Sequence, residues 1–140
     1  MKTRRQLLAA LAAAPLAMLP RGVAAQAAPR IERAQLEQMF ANLRARTNWN
    51  IDGPLLWGYF FFDASEQKLG RAAEALAEQG YKVVGIEQPP DTLLYRLHVE
   101  RVEVHTPDSL HARNQALYAL AEKFKLQSYD GMDVGAIDAP

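Results

Sequence analysis

The chain has no cysteine among its 140 residues, so disulfides, thiol catalysis, thiolate metal sites and lipid anchoring through a cysteine are excluded. It also lacks the G-x-S-x-G elbow, the H-E-x-x-H motif, the P-loop and the glycine-rich dinucleotide turn. We therefore predict a protein that is not an enzyme, that needs no cofactor or metal, and that owes its stability to a hydrophobic core.

The chain also lacks an apolar run of the roughly 20 residues that a membrane-spanning helix needs. Its first residues instead resemble an export signal: Arg4 and Arg5 precede a stretch rich in alanine and leucine, and Ala25 and Ala27 fit an A-x-A cleavage site. The paired arginines are typical of the twin-arginine type. We predict a signal peptide over residues 1–27, a periplasmic or secreted mature protein, and no permanent membrane span. The alternative is a start site further downstream, which would leave the protein in the cytoplasm.

Basic residues are in the minority once the predicted leader is set aside. The full chain has 16 basic and 16 acidic residues; four of the basic residues and none of the acidic ones fall in residues 1–27. The remainder therefore has a net charge near −4. A mildly acidic domain lacks the general attraction to phosphate that nucleic-acid binding needs, so we predict no direct nucleic-acid partner.

Hydrophobic periodicity predicts the elements of the mature chain. In chain order these are a helix at 31–46, a strand at 55–62, a helix ending at Gly80, strands at 81–87 and 93–105, a helix after Thr106-Pro107, and a short edge strand within 128–137. This order predicts an α+β fold, a ferredoxin-like β-α-β-β-α(-β) sandwich with an additional N-terminal helix. Residues 28–52 would form that helix and its connection, and residues 53–140 the α+β domain.

Two local features are predicted in more detail. Asp63 followed by Glu66 resembles a capping box at the start of the second helix. In the long strand, the apolar side chains change from odd positions such as Val99 to the even positions Val102 and Val104. A β-bulge near residues 100–101 would explain that change.

The first strand of this domain is aromatic on both faces. One face carries Trp57, Tyr59 and Phe61, and the other carries Leu56, Phe60 and Phe62. One face should pack on two helices; we expect the N-terminal helix to cover the other through Leu36, Met39, Phe40 and Leu43. The alternative is an exposed surface for a partner. No lysine or arginine interleaves with these aromatic residues, which disfavours RNA.

Histidines and a glutamate provide an alternative function of a different class. His98 and Glu100 share a strand face in the absence of a bulge, and His105 and His111 follow near the end of that strand. Converging side chains of this kind would suit a small metal-binding or hydrolytic periplasmic protein. A further alternative is an immunity-type protein that neutralises a toxin in the periplasm.

The C-terminal part resembles a known family. The segment Leu-Ala-Glu-Lys-Phe at 120–124, followed by Tyr129-Asp130-Gly131, resembles the last helix and edge strand of the RraB family, the regulators of ribonuclease E activity. The resemblance covers roughly residues 53–135. The chain differs from that family in its export signal, in its only mildly acidic charge, and in Met132, where an aromatic residue is common.

The resemblance implies protein binding without catalysis, because the family's activity is to dock on a cytoplasmic endoribonuclease and inhibit it. For this chain it implies an inhibitory module with a protein partner of unknown identity, acting in the cell envelope. The candidate partner-binding residues are Trp57, Tyr59, Tyr129, Asp130, Gly131 and Met132. In the structural alternative, Gly131 permits a turn or bulge, and Tyr129 packs its ring while its hydroxyl stays in water.

Overall fold

The computed structural model describes residues 6–7 and 29–137 of the chain. The predicted leader, with Arg4, Arg5, Ala25 and Ala27, lies outside the described residues apart from Gln6 and Leu7. The elements are β1 (Gln6–Leu7), α1 (Arg33–Arg46), β2 (Leu55–Asp63), α2 (Glu66–Glu78), β3 (Lys82–Glu87), β4 (Tyr95–Glu103), α3 (Pro107–Lys123) and β5 (Ser128–Gly135).

All strands belong to one antiparallel sheet with the order β1-β5-β2-β4-β3. Among the four long strands β2 and β4 are central, as the ferredoxin-like plan requires, so the predicted fold class is confirmed. The predicted edge strand β5 is paired on its outer side with the two-residue strand β1. Gln6 pairs with Val134, and Leu7 pairs with Asp133.

The main core lies between the sheet and the helices, and all three helices contribute to it. Trp57, Tyr59 and Phe61 of β2 are fully buried there. The predicted role of α1 is wrong, because its Phe40 stacks on Trp57, on the same face that α2 and α3 cover, with ring centroids 6.0 Å apart. On the opposite face Phe60 is buried by local partners, including the ring of His98 at 4.4 Å.

The β-bulge predicted in β4 does not form. β4 pairs with β2 in unbroken register from Tyr95 opposite Asp63 to Glu103 opposite Leu55. Its odd-numbered residues therefore all face the helices, and Val102 and Val104 are instead about half exposed, at 52% and 54%. The register shifts in two other strand pairs. In the pairing of β3 with β4 the shift lies between Val83 and Gly85 of β3, and in the pairing of β5 with β2 it lies between Tyr129 and Met132 of β5.

The N-terminus of α2 also differs from the prediction. Ser65 is the N-cap residue, and its hydroxyl accepts a hydrogen bond from the backbone N–H of Lys68 at 3.1 Å. Asp63 is buried and accepts hydrogen bonds from the backbone N–H groups of Ser65 and Gln127, both at 2.8 Å. Asp63 therefore ties the end of β2 to the loop before β5 rather than capping the helix.

Helix α2 ends as predicted and α3 ends in the same way. Gly80, at φ +101°, follows α2, and the N–H of Tyr81 donates to the carbonyl of Leu76 at 3.1 Å. This is a Schellman motif, in which the residue after the C-cap adopts a left-handed conformation. At the end of α3 that residue is Lys125, at φ +58°, and the N–H of Leu126 donates to the carbonyl of Ala121.

The chain is fixed to α3 shortly before α1 begins. Ile31 is buried, and its backbone N–H donates to the hydroxyl of Tyr118 at 2.9 Å. The guanidinium of Arg30 lies over the Tyr118 ring at 4.6 Å and donates to Glu122 at 2.8 Å. Within the described residues, no helix has the length and apolar character needed to cross a membrane.

Candidate functional site

A cluster of ionisable side chains lies under α3, where the odd-numbered residues of β4 continue past the apolar core. We call it the Glu103 cluster; its members are Tyr59 of β2, Glu103 at the end of β4, His105, and Ser109 and Arg113 of α3. The unbroken register of β4 places Glu103 on the helix side of the sheet, because it lies two and four residues beyond Arg101 and the buried Val99.

One carboxylate oxygen organises the cluster. Glu103 Oε2 accepts hydrogen bonds from Arg113 Nη1 at 2.6 Å and from the Tyr59 hydroxyl at 2.8 Å, and it lies 3.3 Å from His105 Nε2. The Glu103 side chain is only 11% exposed and that of Arg113 is 22% exposed. A buried carboxylate is stable when charged donors satisfy it, which is the arrangement found here.

The tautomer of His105 follows from its neighbours. The single hydroxyl proton of Tyr59 is directed at Glu103, so His105 Nε2 carries a proton and donates toward the carboxylate. Its other nitrogen, Nδ1, lies 2.8 Å from the hydroxyl of Ser109. The ring of Trp57 meets the His105 ring edge-on at 5.2 Å.

These contacts shift the ionisation of three groups. Burial alone would raise the pKa of Glu103, but hydrogen bonds from His105, Arg113 and Tyr59 outweigh it and lower the pKa from the usual 4.5 to about 2. Burial raises the pKa of Tyr59 far above its usual range, and the neighbouring Glu103 carboxylate raises it further. Burial would lower the pKa of Arg113, but the hydrogen bond to Glu103, the neighbouring Tyr59 and Tyr81 and the charge of Glu103 together outweigh it, and the pKa is raised. The cluster therefore holds an ionised Glu103–Arg113 pair and a neutral tyrosine.

Cationic and aromatic side chains alternate beside the cluster. Tyr81 meets Tyr59 edge-on at 5.8 Å, and the guanidinium groups of Arg113 and Arg101 lie 5.4 and 5.1 Å from the Tyr81 ring. Arg101 also donates to the carbonyl of Gln79 at 3.2 Å. Gly80 lies beside the Arg101 guanidinium, and its left-handed φ of +101° favours glycine at this position.

A groove of about 400 Å³ opens next to these residues, between the end of α2 and the outer side of α3. We call it the α2–α3 groove. It is lined by Gln79, Tyr81, Arg101, Arg113, Ala116, Leu117, Ala119, Leu120 and Lys123. The described residues that line it include three cations and no carboxylate, since Glu103 lies behind Arg113.

A serine, a histidine and a glutamate in hydrogen-bonded series invite comparison with a hydrolytic triad. The roles differ here, because the Ser109 hydroxyl accepts a hydrogen bond from the backbone N–H of Thr106 at 2.8 Å and belongs to the capping box of α3. Glu103 is already bonded to Arg113 and Tyr59. The arrangement is that of a structural network that ties β2, β4 and α3 together.

The predicted partner-binding residues are mostly inside the protein. Trp57, Tyr59, Tyr129 and Met132 are buried on the helix face of the sheet, so a partner cannot reach them in this conformation. Their side chains therefore contribute to the core and not to an exposed surface.

The other two candidates lie at the irregularity in β5. Asp130 is exposed, and Gly131 has a φ of +100° where the pairing with β2 shifts register. The structural interpretation of Gly131 is thus confirmed. That of the Tyr129 hydroxyl is wrong, since it donates to Asn114 Oδ1 at 2.6 Å in the interior rather than to water.

The residues of the predicted metal or hydrolytic site do not converge. His98 and Glu100 lie on the sheet face opposite to the helices, whereas His105 is buried under α3. His111 is on α3 and contacts Gln115 at 3.4 Å. Among the described residues no group of three or more histidine, aspartate or glutamate side chains could hold a metal ion. The metal-site alternative at these four positions is therefore wrong.

The sequence interpretation missed Glu103, Arg113 and Asn114. The bulge expected near residues 100–101 would have turned Glu103 outward, and a regular strand would have turned it inward with Val99. Arg113 and Asn114 interrupt the apolar stripe of α3 between Leu110 and Leu117. Polar residues at helix positions that face the core are a signal for a buried hydrogen-bond network.

The similarity of the chain to known proteins extends over most of the described fold. The model of the RraB family, described as regulator of ribonuclease activity B, matches residues 33–134. The match begins at the first residue of α1 and ends in β5, so it covers all three helices and the four long strands. No curated protein sequence matches the chain.

Proposed function

Because the chain belongs to the RraB family of regulators of ribonuclease activity, we propose that it is a non-enzymatic module that inhibits another protein by docking on it, and that it acts in the cell envelope. The family match over residues 33–134 carries this proposal. The partner would be a protein, because the region after residue 27 has a net charge near −4 and disfavours nucleic acid.

The Glu103 cluster supports a binding role over catalysis. Each of its ionisable groups is engaged with another member, and the most nucleophilic candidate, Ser109, caps a helix. A catalytic base and nucleophile need an accessible position beside a substrate. Here His105 is buried between the sheet and α3.

The envelope location rests on the leader. Arg4 and Arg5 precede an apolar stretch, and a protein exported after folding would reach the periplasm as the domain described above. A copy in the periplasm cannot contact a ribonuclease in the cytoplasm. Under this proposal the chain therefore binds and inhibits a different protein, one that is located in the cell envelope.

Cell fractionation tests the proposal. Cells expressing the tagged full-length chain would be compared with cells expressing the Arg4→Lys/Arg5→Lys variant, and the mass of the purified protein would be measured. We expect a periplasmic species that begins near Ala28, and its loss in the variant. A full-length cytoplasmic protein would overturn the envelope location and favour regulation of a cytoplasmic ribonuclease, to be tested by adding the purified chain to an RNA cleavage assay.

A further inference from the structure

We propose that the α2–α3 groove is the docking surface, and that it takes an acidic segment of a protein partner in which acidic side chains flank an apolar one. This inference rests on the proposed function, since it names the surface through which a protein-binding module would act. It rests on the shape, charge and side-chain order of the groove.

The floor and one wall of the groove come from a single stripe of α3. Leu117, Leu120 and Lys123 follow Arg113 at spacings of four, three and three residues, and Ala116 lies three residues after Arg113, so all five lie along one side of the helix. Arg113 and Lys123 are separated by about 15 Å along the helix axis at 1.5 Å per residue. Cations therefore stand at both ends of the stripe with apolar residues between them.

Small side chains create the groove. Ala116 and Ala119 are exposed and reach only to Cβ, whereas Leu117 is buried beneath them and Leu120 is partly buried. A larger residue at position 116 would fill the space beside Tyr81 and Arg113. The apolar middle of the groove can accept a side chain of a partner.

The charge of the groove determines the chemistry of that partner. At one end of the groove lie Arg101, 37% exposed, and Arg113, 22% exposed, and both contact Tyr81 and Glu103. At the other end lies Lys123, which is exposed. None of the described residues that line the groove is acidic, and the Glu103 carboxylate behind it pairs with Arg101 and Arg113. A held guanidinium loses little side-chain entropy when it binds a carboxylate, which favours an acidic partner.

The test uses the full-length chain and a library of random peptides displayed on phage. We expect the selected peptides to be enriched in aspartate and glutamate beside a leucine, isoleucine or phenylalanine. We also expect their affinity to fall as salt is raised, because screening weakens contacts between exposed charges. Selection of peptides without acidic residues, or of none at all, would overturn the groove proposal.

Two matched variants locate the binding site. Ala116→Glu/Lys123→Glu adds negative charge inside the groove, and Ala112→Glu/Arg71→Glu makes the same change of net charge at exposed helix positions that do not line it. We expect the first variant to weaken binding of a selected acidic peptide by about tenfold or more, and the second by much less. Equal affinity of both variants would place the peptide elsewhere, which overturns the groove but leaves a protein-binding function standing.

A third variant and a chemical-shift map distinguish loss of peptide binding from loss of folding. Gln79→Lys adds a cation at the edge of the groove and leaves in place the backbone carbonyl that Arg101 contacts, so it should tighten binding of the same peptide. Amide chemical shifts of the wild-type chain should change along α3 from Arg113 to Lys123 and at Tyr81 when the peptide is added. Shifts confined to other parts of the chain would refute the groove. Failure of the fractionation experiment, by contrast, would change only the compartment.

Discussion

Glu103 offers the sharpest test of the structure, because a single oxygen of its carboxylate receives three hydrogen bonds. The difference between its usual pKa of 4.5 and its pKa of about 2 corresponds to about 3 kcal/mol of interaction with the ionised form. Glu103→Gln keeps one acceptor oxygen but removes the charge that Arg113 faces. We expect the variant to lose about 2–3 kcal/mol of unfolding free energy at neutral pH.

The pH dependence follows from the direction of the shift. A group whose pKa is lower in the folded state contributes stability above its unfolded pKa and loses it as the pH falls toward the folded value. The contribution of Glu103 should therefore be complete above about pH 4.5 and be lost progressively toward pH 2. In Glu103→Gln this part of the acid transition should be missing.

Urea denaturation of both proteins at several pH values would measure the effect. The difference in unfolding free energy between wild type and variant should shrink as the pH falls through this window. Glu87→Gln is a matched control, since Glu87 is 70% exposed and its closest salt-bridge contact, to Arg96, is long at 3.7 Å. A difference that stays constant from neutral to acid pH would refute the assignment of this stability to the Glu103 carboxylate.

Three further variants test other parts of the fold by urea or thermal denaturation. Tyr129→Phe leaves the buried Asn114 carbonyl without its donor and should cost about 1–3 kcal/mol; an unchanged midpoint would mean that this bond is not needed. Asp63→Ala leaves the Gln127 N–H without its acceptor and should cost about 2 kcal/mol, with Asp63→Asn costing less; equal losses would contradict the acceptor role. Lys125→Gly should stabilise the protein by about 0.5 kcal/mol, because glycine adopts the left-handed conformation at the end of α3 without strain. A lower melting temperature would argue that the lysine side chain matters more than its backbone.

The sequence was sufficient to predict the fold because its local signals agree with one another. The spacing of Leu36, Met39, Phe40 and Leu43 indicates α1, and Thr106-Pro107 and Gly80 mark helix ends that the structure has at those places. The most apolar strand, β2, is central. Patterns of this kind depend only on side-chain periodicity and turn chemistry, which are local properties.

The Glu103 cluster was not predicted, because its members come from different elements. The position of Val102 and Val104 favoured a bulge, on the assumption that apolar side chains point inward. The structure leaves these valines about half exposed and turns Glu103 inward. The hydrogen bonds from Tyr59 and Arg113 stabilise that carboxylate, and they arise only when β2 and α3 are in place.

The cover predicted for the second face of β2 is wrong for a similar reason. The side of the sheet on which α1 packs cannot be determined from the apolar stripe of α1 alone. Both faces of β2 are aromatic, so the pattern favours neither. The contact between Phe40 and Trp57 shows that α1 packs on the face of β2 that carries Trp57.

If residues 1–27 are a signal peptide, the attachment of Arg30 and Ile31 to α3 limits how that peptide can be removed. If cleavage follows Ala27, only residues 28 and 29 separate the cut from the first side chain held by the folded domain. Two extended residues span about 7 Å. A protease that works on the folded protein would therefore have to cut within about 7 Å of the residues that contact Tyr118 and Glu122, or act after this short segment has detached. The rate of signal-peptide cleavage would then depend on how stably Arg30 and Ile31 are bound to α3.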